Sequence, residues 1–358
     1  MSYSIPIGPY HIALEEPYKI EVECEGENVV GSKLKVGFNF RGIEWLAQRK
    51  NITQSIALLE RVCGICSNVH SMSFCMTLER IGNIEVPARG QHIRMIMAEL
   101  ERLHSHLLWA GVAAELIGFE TLFMQIFRLR ESVMDTLESI SGNRVNYSMN
   151  RIGGVNRDLL DDAKIRQVAR GIRSLTETVL IPLLTTDQTV IARCKGVGVL
   201  SREDAIAYGV VGPVARASGV DTDLRRDQPY LAYDLVEFSV PFQTGGDVLA
   251  RVVVRALEIV ESCKIIDQVL DRMPQGPIHA GEIYHVPAGA AALRIEAPRG
   301  EVFYYIASNG SDIPDRVKVR TPSFANIPSV AAMVKGNTIA DVPLIQAALD
   351  PCYSCTDR

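Results

Sequence analysis

No apolar run in this 358-residue chain approaches the ~20 residues that a bilayer-spanning helix needs. The best candidate, 107–119, is too short and carries Glu115. The first residues, MSYSIPIGPYH, have no basic segment followed by an apolar one, so no secretory leader is expected. Basic charge is not in excess either. With 37 Lys and Arg against 42 Asp and Glu, the net charge is −5, which gives no electrostatic reason to expect nucleic acid as a partner. No internal repeat, low-complexity tract or linker divides the chain. These absences lead to the expectation of a chain with no transmembrane helix of its own, in the cytoplasm or peripheral on the cytoplasmic side of the cell membrane.

The composition is that of a globular protein, with 47% hydrophobic and 22% charged residues, and the length allows a large core. Eight cysteines are too few and too irregular for a disulfide framework. Four form two C-x-x-C pairs, Cys63 with Cys66 and Cys352 with Cys355. The others, Cys24, Cys75, Cys194 and Cys263, are scattered and are expected to pack in the core.

Periodicity sketches the architecture. YKIEVEC (18–24) alternates like a strand, and glycines punctuate the runs around it. A helix is expected from about Ile52 to the first cysteine pair, and another over 69–81. Ile93, Ile96, Met97, Leu100, Leu103 and Leu107 recur at helical spacing within a helix over 87–117. Further helices are expected over 119–140, over 157–185 with a break at Pro182, and over 246–273. Residues 291–297 and 301–308 read as a hairpin around Pro298-Arg299-Gly300, followed by short helices near 323–335 and 341–349. The expected class is α+β: a central bundle of long helices flanked by mixed segments. Its divisions are a β-rich segment (1–50), a helical bundle with an inserted irregular segment (51–275) and an α/β segment carrying the second cysteine pair (276–358), all in one compact unit.

A C-x-x-C lets two sulfurs converge on one centre, and thiolates suit soft or borderline metals. On spacing alone, a four-cysteine zinc site is the commonest use of such a set. A closed zinc site usually draws its pairs from neighbouring segments, however, and these pairs lie near opposite ends of the chain. A metal shared by both would tie the two ends of the protein together.

The residues around the cysteines are more specific. R-V-C-G-I-C-S-N-V-H (61–70) and D-P-C-Y-S-C (350–355) resemble the paired signature of nickel–iron hydrogenase large subunits. Arg41-Gly42-Ile43-Glu44 is similar to that family's R-G-x-E, and Ala297-Pro298-Arg299-Gly300 to its A-P-R-G. The stretches 98–106, 151–155, 250–266 and 321–327 resemble the quinone-site subunit of respiratory complex I, whose members lack the cysteine pairs. The combination is most similar to the energy-converting, membrane-associated group of hydrogenases, of the Ech type.

That resemblance implies a nickel–iron centre. Cys63 and Cys352 would bind nickel alone, and Cys66 and Cys355 would bridge nickel to an iron carrying carbon monoxide and cyanide. His70 would hydrogen-bond a bridging sulfur. Glu15 would take a proton from the Cys352 thiolate, and Arg299 would stand over the metals, with Pro298 and Asp350 beside it. The implied reaction is reversible hydrogen cleavage. The implied partners are a small subunit with a four-iron, four-sulfur cluster, a ferredoxin-like iron–sulfur subunit, ferredoxin itself and antiporter-like integral membrane subunits that couple the chemistry to ion translocation. Iron–sulfur clusters are expected only in those partners, since no cysteines remain here in a cluster pattern.

Two positions depart from the family. Ser105 stands where many members have an aspartate between two histidines. Arg358 stands where many end in a histidine that helps hold a magnesium or iron ion with the R-G-x-E glutamate. A guanidinium does not bind a cation, so magnesium is not expected there. Glu44 is instead expected to pair with Arg358.

Overall fold

The structure is a computed structural model that describes residues 2–11, 14 and 16–358. The alternating N-terminal segment forms β2 (Lys19–Glu25), paired antiparallel with β1 (Ser2–Ile7) on one side and β3 (Asn28–Lys35) on the other. Successive strand side chains point to opposite faces, so Ile20, Val22 and Cys24 all turn into the core.

Helices follow. A short α1 (Ile43–Ala47) leads to α2 (Ile52–Glu60), which starts at a capping box made by Asn51 and Gln54. Then come α3 (Ser67–Gly82), α4 (Ala88–Leu116) and α5 (Glu120–Ser141). A two-residue ladder, β4 (Asn150–Arg151) with β5 (Gly154–Val155), precedes α6 (Asp162–Leu175) and α7 (Ile181–Thr186). Four short helices, α8 (Gln188–Cys194), α9 (Arg202–Tyr208), α10 (Pro213–Ala217) and α11 (Leu224–Asp227), lead to α12 (Val248–Asp271). The chain ends with an antiparallel sheet, β6 (Ala288–Ala297), β7 (Gly300–Asn309) and β8 (Arg316–Arg320), and with α13 (Pro322–Asn326), α14 (Val330–Val334), α15 (Val342–Ala348) and α16 (Tyr353–Asp357). The class is α+β, with long helices in the middle and small sheets toward the ends.

Two expectations need correcting. The helix expected over 157–185 begins only at Asp162, where the Asp161 side chain accepts the Lys164 N–H. Pro182 does not interrupt it. A π-helical turn, Thr176–Leu180, joins α6 to α7 and puts Pro182 in the first turn of α7, where its missing N–H does least harm. The strand β8 was not expected at all, although Val317 and Val319 alternate into the core.

The apolar stripe of α4 is fully buried, and so is much of its remaining surface, including Arg94, Glu99, Glu101 and Arg102. Buried charges are costly unless paired. Arg94 makes a two-pronged contact with Glu79 on α3, at 2.6 and 2.9 Å. Glu99 accepts from Arg225 at 3.1 Å and from Ser262 at 2.6 Å. Arg216 joins Glu258 on α12 to Glu296 on β6. The first two tie the helices to one another, and the third joins the bundle to the C-terminal sheet. One apolar cluster fills the bundle; a second lies between α2, α3 and the C-terminal sheet and contains Cys63, Cys66, Cys352 and Cys355. Among the described residues, no helix is long and apolar enough to cross a membrane.

Candidate metal centre

The first cysteine pair sits in the turn between α2 and α3. Cys63 Sγ accepts the Ile65 N–H at 3.2 Å, and Cys66 is the residue immediately before α3. The first free N–H groups of α3 are met from α4: Glu101 accepts from Asn68 at 2.6 Å and Val69 at 3.1 Å.

The second pair sits on a five-residue helix held by distant parts of the chain. Asp350 takes a left-handed conformation, φ +57°, to turn the chain before Pro351. The Cys352 N–H donates to Ser323 Oγ at 2.9 Å. Glu16 accepts from the Tyr353 N–H and from Ser354 Oγ. Asp357 accepts from the N–H groups of Gly37 and Asn39 at 2.9 and 2.8 Å. Arg41 clamps both cysteine segments, donating to the carbonyls of Arg61 (3.0 Å), Val62 (2.8 Å) and Ser354 (2.7 Å).

The four sulfurs converge. Cys66 and Cys355 are 3.3 Å apart and Cys63 and Cys352 3.4 Å, while the ligand atoms of Cys63, Cys66 and Cys355 all lie within 4.8 Å of one another. These separations exceed a disulfide bond of ~2.05 Å. They suit thiolates around one ion. Electrostatics points the same way. Hydrogen bonds from Cys352, Cys355 and Cys66 pull the Cys63 thiol well below its ordinary value, whereas Cys66, Cys352 and Cys355 are held well above theirs. Without a cation, one negative sulfur suppresses ionisation of the rest; with one, all four can serve as thiolates.

The surrounding groups also fit a metal pair with polar ligands. Arg299 lies at the tip of the β6–β7 hairpin, yet it is 6% exposed, because the tip packs on Gly212. A Cβ on Gly212 would come within 2.4 Å of the Arg299 carbonyl oxygen. Arg299 Nε donates to the Asp350 carbonyl at 2.9 Å, and Nη2 meets Asp350 Oδ1 at 2.7 Å. Burial opposes the guanidinium charge, but Asp350 and the cysteines outweigh it and raise its affinity for the proton. Arg299 Nη1, Asp350 Oδ2 and Ser105 Oγ are buried without a hydrogen-bond partner among the described residues. Pro298, next to Arg299 in the chain, is buried as well.

His70, one turn into α3, places Nε2 3.4 Å from Cys355 Sγ and Nδ1 2.7 Å from Tyr304 Oη. Burial lowers its pKa to about 4, leaving the ring neutral. The histidines flanking Ser105 point elsewhere: His104 Nδ1 accepts from Arg130 and His106 contacts Glu258. Arg358 Nε lies 2.8 Å from Glu44 Oε1, and Val319 N–H and Lys318 also reach that carboxylate. Burial pushes the Glu44 carboxyl up, but these donors outweigh it and hold it below its usual value.

Glu15 lies outside the described residues. Its neighbour Glu16 is the carboxylate that grips the Cys352 helix, and a cavity of about 200 Å³, lined also by Glu115, Gln346 and Tyr353, opens beside it. The sequence reading also missed Ser323, Tyr304 and the clamping role of Arg41. Arg41 lay inside a recognised motif; the others had no local signal.

Comparison with known proteins places the chain in a family. Residues 117–284 and 280–358 match the family described as respiratory-chain NADH dehydrogenase, 49 Kd subunit, and residues 41–110 match nickel-dependent hydrogenase. The chain belongs to the family that unites these complex I subunits with the large subunits of membrane-bound hydrogenases. It is 43% identical to the carbon monoxide-induced hydrogenase of Rhodospirillum rubrum, over 100% of this chain and 99% of that one. It is 40% identical to the membrane-bound hydrogenase subunit alpha of Pyrococcus furiosus, over 99% and 87%. A chain in the structure of the membrane-bound sulfane sulfur reductase, an archaeal respiratory membrane complex, superposes with a TM-score of 0.90 at 33% identity, covering 100% of this chain and 98% of that one.

Proposed function

We propose that this chain is the catalytic large subunit of a nickel–iron hydrogenase that cleaves and forms hydrogen reversibly. The observation that carries the reading is the convergence of four buried thiols from the two ends of the chain beneath Arg299. Cys63 and Cys352 would hold nickel as terminal ligands, and Cys66 and Cys355 would bridge to an iron bearing carbon monoxide and cyanide. Bound there, the metal pair would supply the Lewis-acidic, redox-active site at which hydrogen splits heterolytically.

The protein's own groups handle proton and charge. Cys352 Sγ would accept the proton and pass it to Glu15. The neighbouring Glu16 bonds the residues just after Cys352 and lines the cavity beside them. The unpartnered Nη1 of Arg299 is available to a cyanide or to hydrogen entering the site. Ser105, a hydroxyl where relatives carry an acid, leaves Arg299 with Asp350 as its carboxylate partner. The Glu44–Arg358 pair takes the place of a bound cation.

Electrons leave through a small subunit with a four-iron, four-sulfur cluster and a ferredoxin-like subunit, with ferredoxin as the distal carrier. The assembly sits peripherally on the cytoplasmic side of the membrane, on antiporter-like subunits that couple turnover to ion translocation. The hydrogenase and respiratory-complex relatives support this setting. Metal analysis of the matured complex tests the reading: nickel and iron in equal amounts in this subunit, with infrared bands of iron-bound carbon monoxide and cyanide, are expected. Zinc alone, without those bands, would sink it.

A further inference from the structure

His70 stands between two groups, a cysteine sulfur at Nε2 and a phenol at Nδ1. We propose that Tyr304 is a positioning residue that fixes the tautomer of His70, so that Nε2–H is directed at the Cys355 sulfur. The inference rests on the nickel–iron reading above. A metal-bound thiolate has no proton to give, so a hydrogen bond between it and the ring must come from Nε2–H. A neutral imidazole with its proton on Nε2 has a lone pair on Nδ1, and that lone pair needs a donor. The phenol, at 2.7 Å, supplies it.

The placement is rigid. Tyr304 is fully buried on β7, the central strand of its sheet, paired to Leu293 on one side and Val319 on the other. Its nearest neighbours on the inward face, Val302 and Ile306, are aliphatic, and the next polar side chain in that row, Ser308, donates to the Val286 carbonyl instead. Burial raises the phenol well above its ordinary pKa, with Cys355 and Cys66 adding to the effect, so it keeps the proton it donates. The sheet thus delivers the phenol, α3 delivers the imidazole, and the two end on a sulfur from the far end of the chain. Donation to that sulfur would draw electron density away from the metals; without it, the iron would be more electron-rich and the C–O bond of its carbon monoxide weaker.

The test is infrared spectroscopy of the matured complex. Tyr304→Phe keeps the ring and removes the donor. The iron-bound carbon monoxide and cyanide bands should move to lower wavenumber at an unchanged nickel-to-iron ratio. His70→Leu should move them the same way, and adding Tyr304→Phe to it should move them no further. A fluorinated tyrosine incorporated at position 304, a stronger donor, should shift them in the opposite direction; this variant retains the hydroxyl if the Phe protein fails to mature. Bands at wild-type positions in both Tyr304 variants would overturn the inference, as would a further shift in the double variant. Wild-type protein without these bands overturns the nickel–iron reading itself, so the two failures are distinct.

Discussion

The two cysteine pairs carry the same spacing but are held in different ways. The first opens a 16-residue helix that packs along α4 and the C-terminal sheet, and its N-terminus is satisfied by Glu101. The second rides on five residues that could not form a stable helix alone. Its position depends on Glu16, Asn39, Arg41, Glu44 and Ser323, drawn from both ends of the chain. One half of the site is therefore built by local structure and the other is suspended by tertiary contacts. Changes to those contacts should loosen the second pair while sparing the first.

The largest effect is expected from Arg41→Ala. It removes four charge-assisted hydrogen bonds, one of them to the Asn39 carbonyl, and with them the tie between the pairs. Each such bond contributes about 1.5–3 kcal/mol when shielded, but Arg41 is exposed, so a local loss of only about 2–4 kcal/mol in total is expected. Amide exchange over 350–358 should accelerate strongly, with α3 unchanged; equal acceleration in both would break the comparison. Asp357→Asn comes next. It keeps one acceptor oxygen of two and should cost about 1 kcal/mol, read as a smaller rise in exchange at Gly37 and Asn39.

Glu44→Gln should be the smallest, at most about 1 kcal/mol, because the pair is partly exposed. It carries a pH signature. In the folded protein the Glu44 carboxyl is held below its usual value. Its contribution is thus complete above the ordinary carboxylate pKa of ~4.3 and is lost as the pH falls through the lower folded value. Acidification through that window should loosen the C-terminal segment more in the wild type than in the Gln variant. A difference that grows instead as pH rises would contradict the assigned pairing.

The same contrast explains what the sequence disclosed. The cysteines, the long helices and the β6–β7 hairpin announce themselves through spacing and periodicity. The helix over 157–185 was misjudged because a proline in a helical pattern reads as a break, whereas a π turn absorbs it. The supports of the second pair are common residues with no local pattern. Glu16 looks like half of an acidic pair on the surface, Ser323 like a helix-start serine, and Tyr304 like one more aromatic in a strand. Only the fold brings them to Cys352, Cys355 and His70. Arg299 was legible as a residue, but its burial was not, because that depends on Gly212, far along the chain, leaving room for the hairpin tip.

X-ray absorption at the nickel edge of the purified complex tests most directly whether both pairs hold one metal. Four sulfur ligands around nickel are expected in the wild type, falling to three in Cys63→Ser and in Cys352→Ser alike. Nickel with only two sulfur ligands, or a wild-type site occupied by zinc alone, would contradict the account.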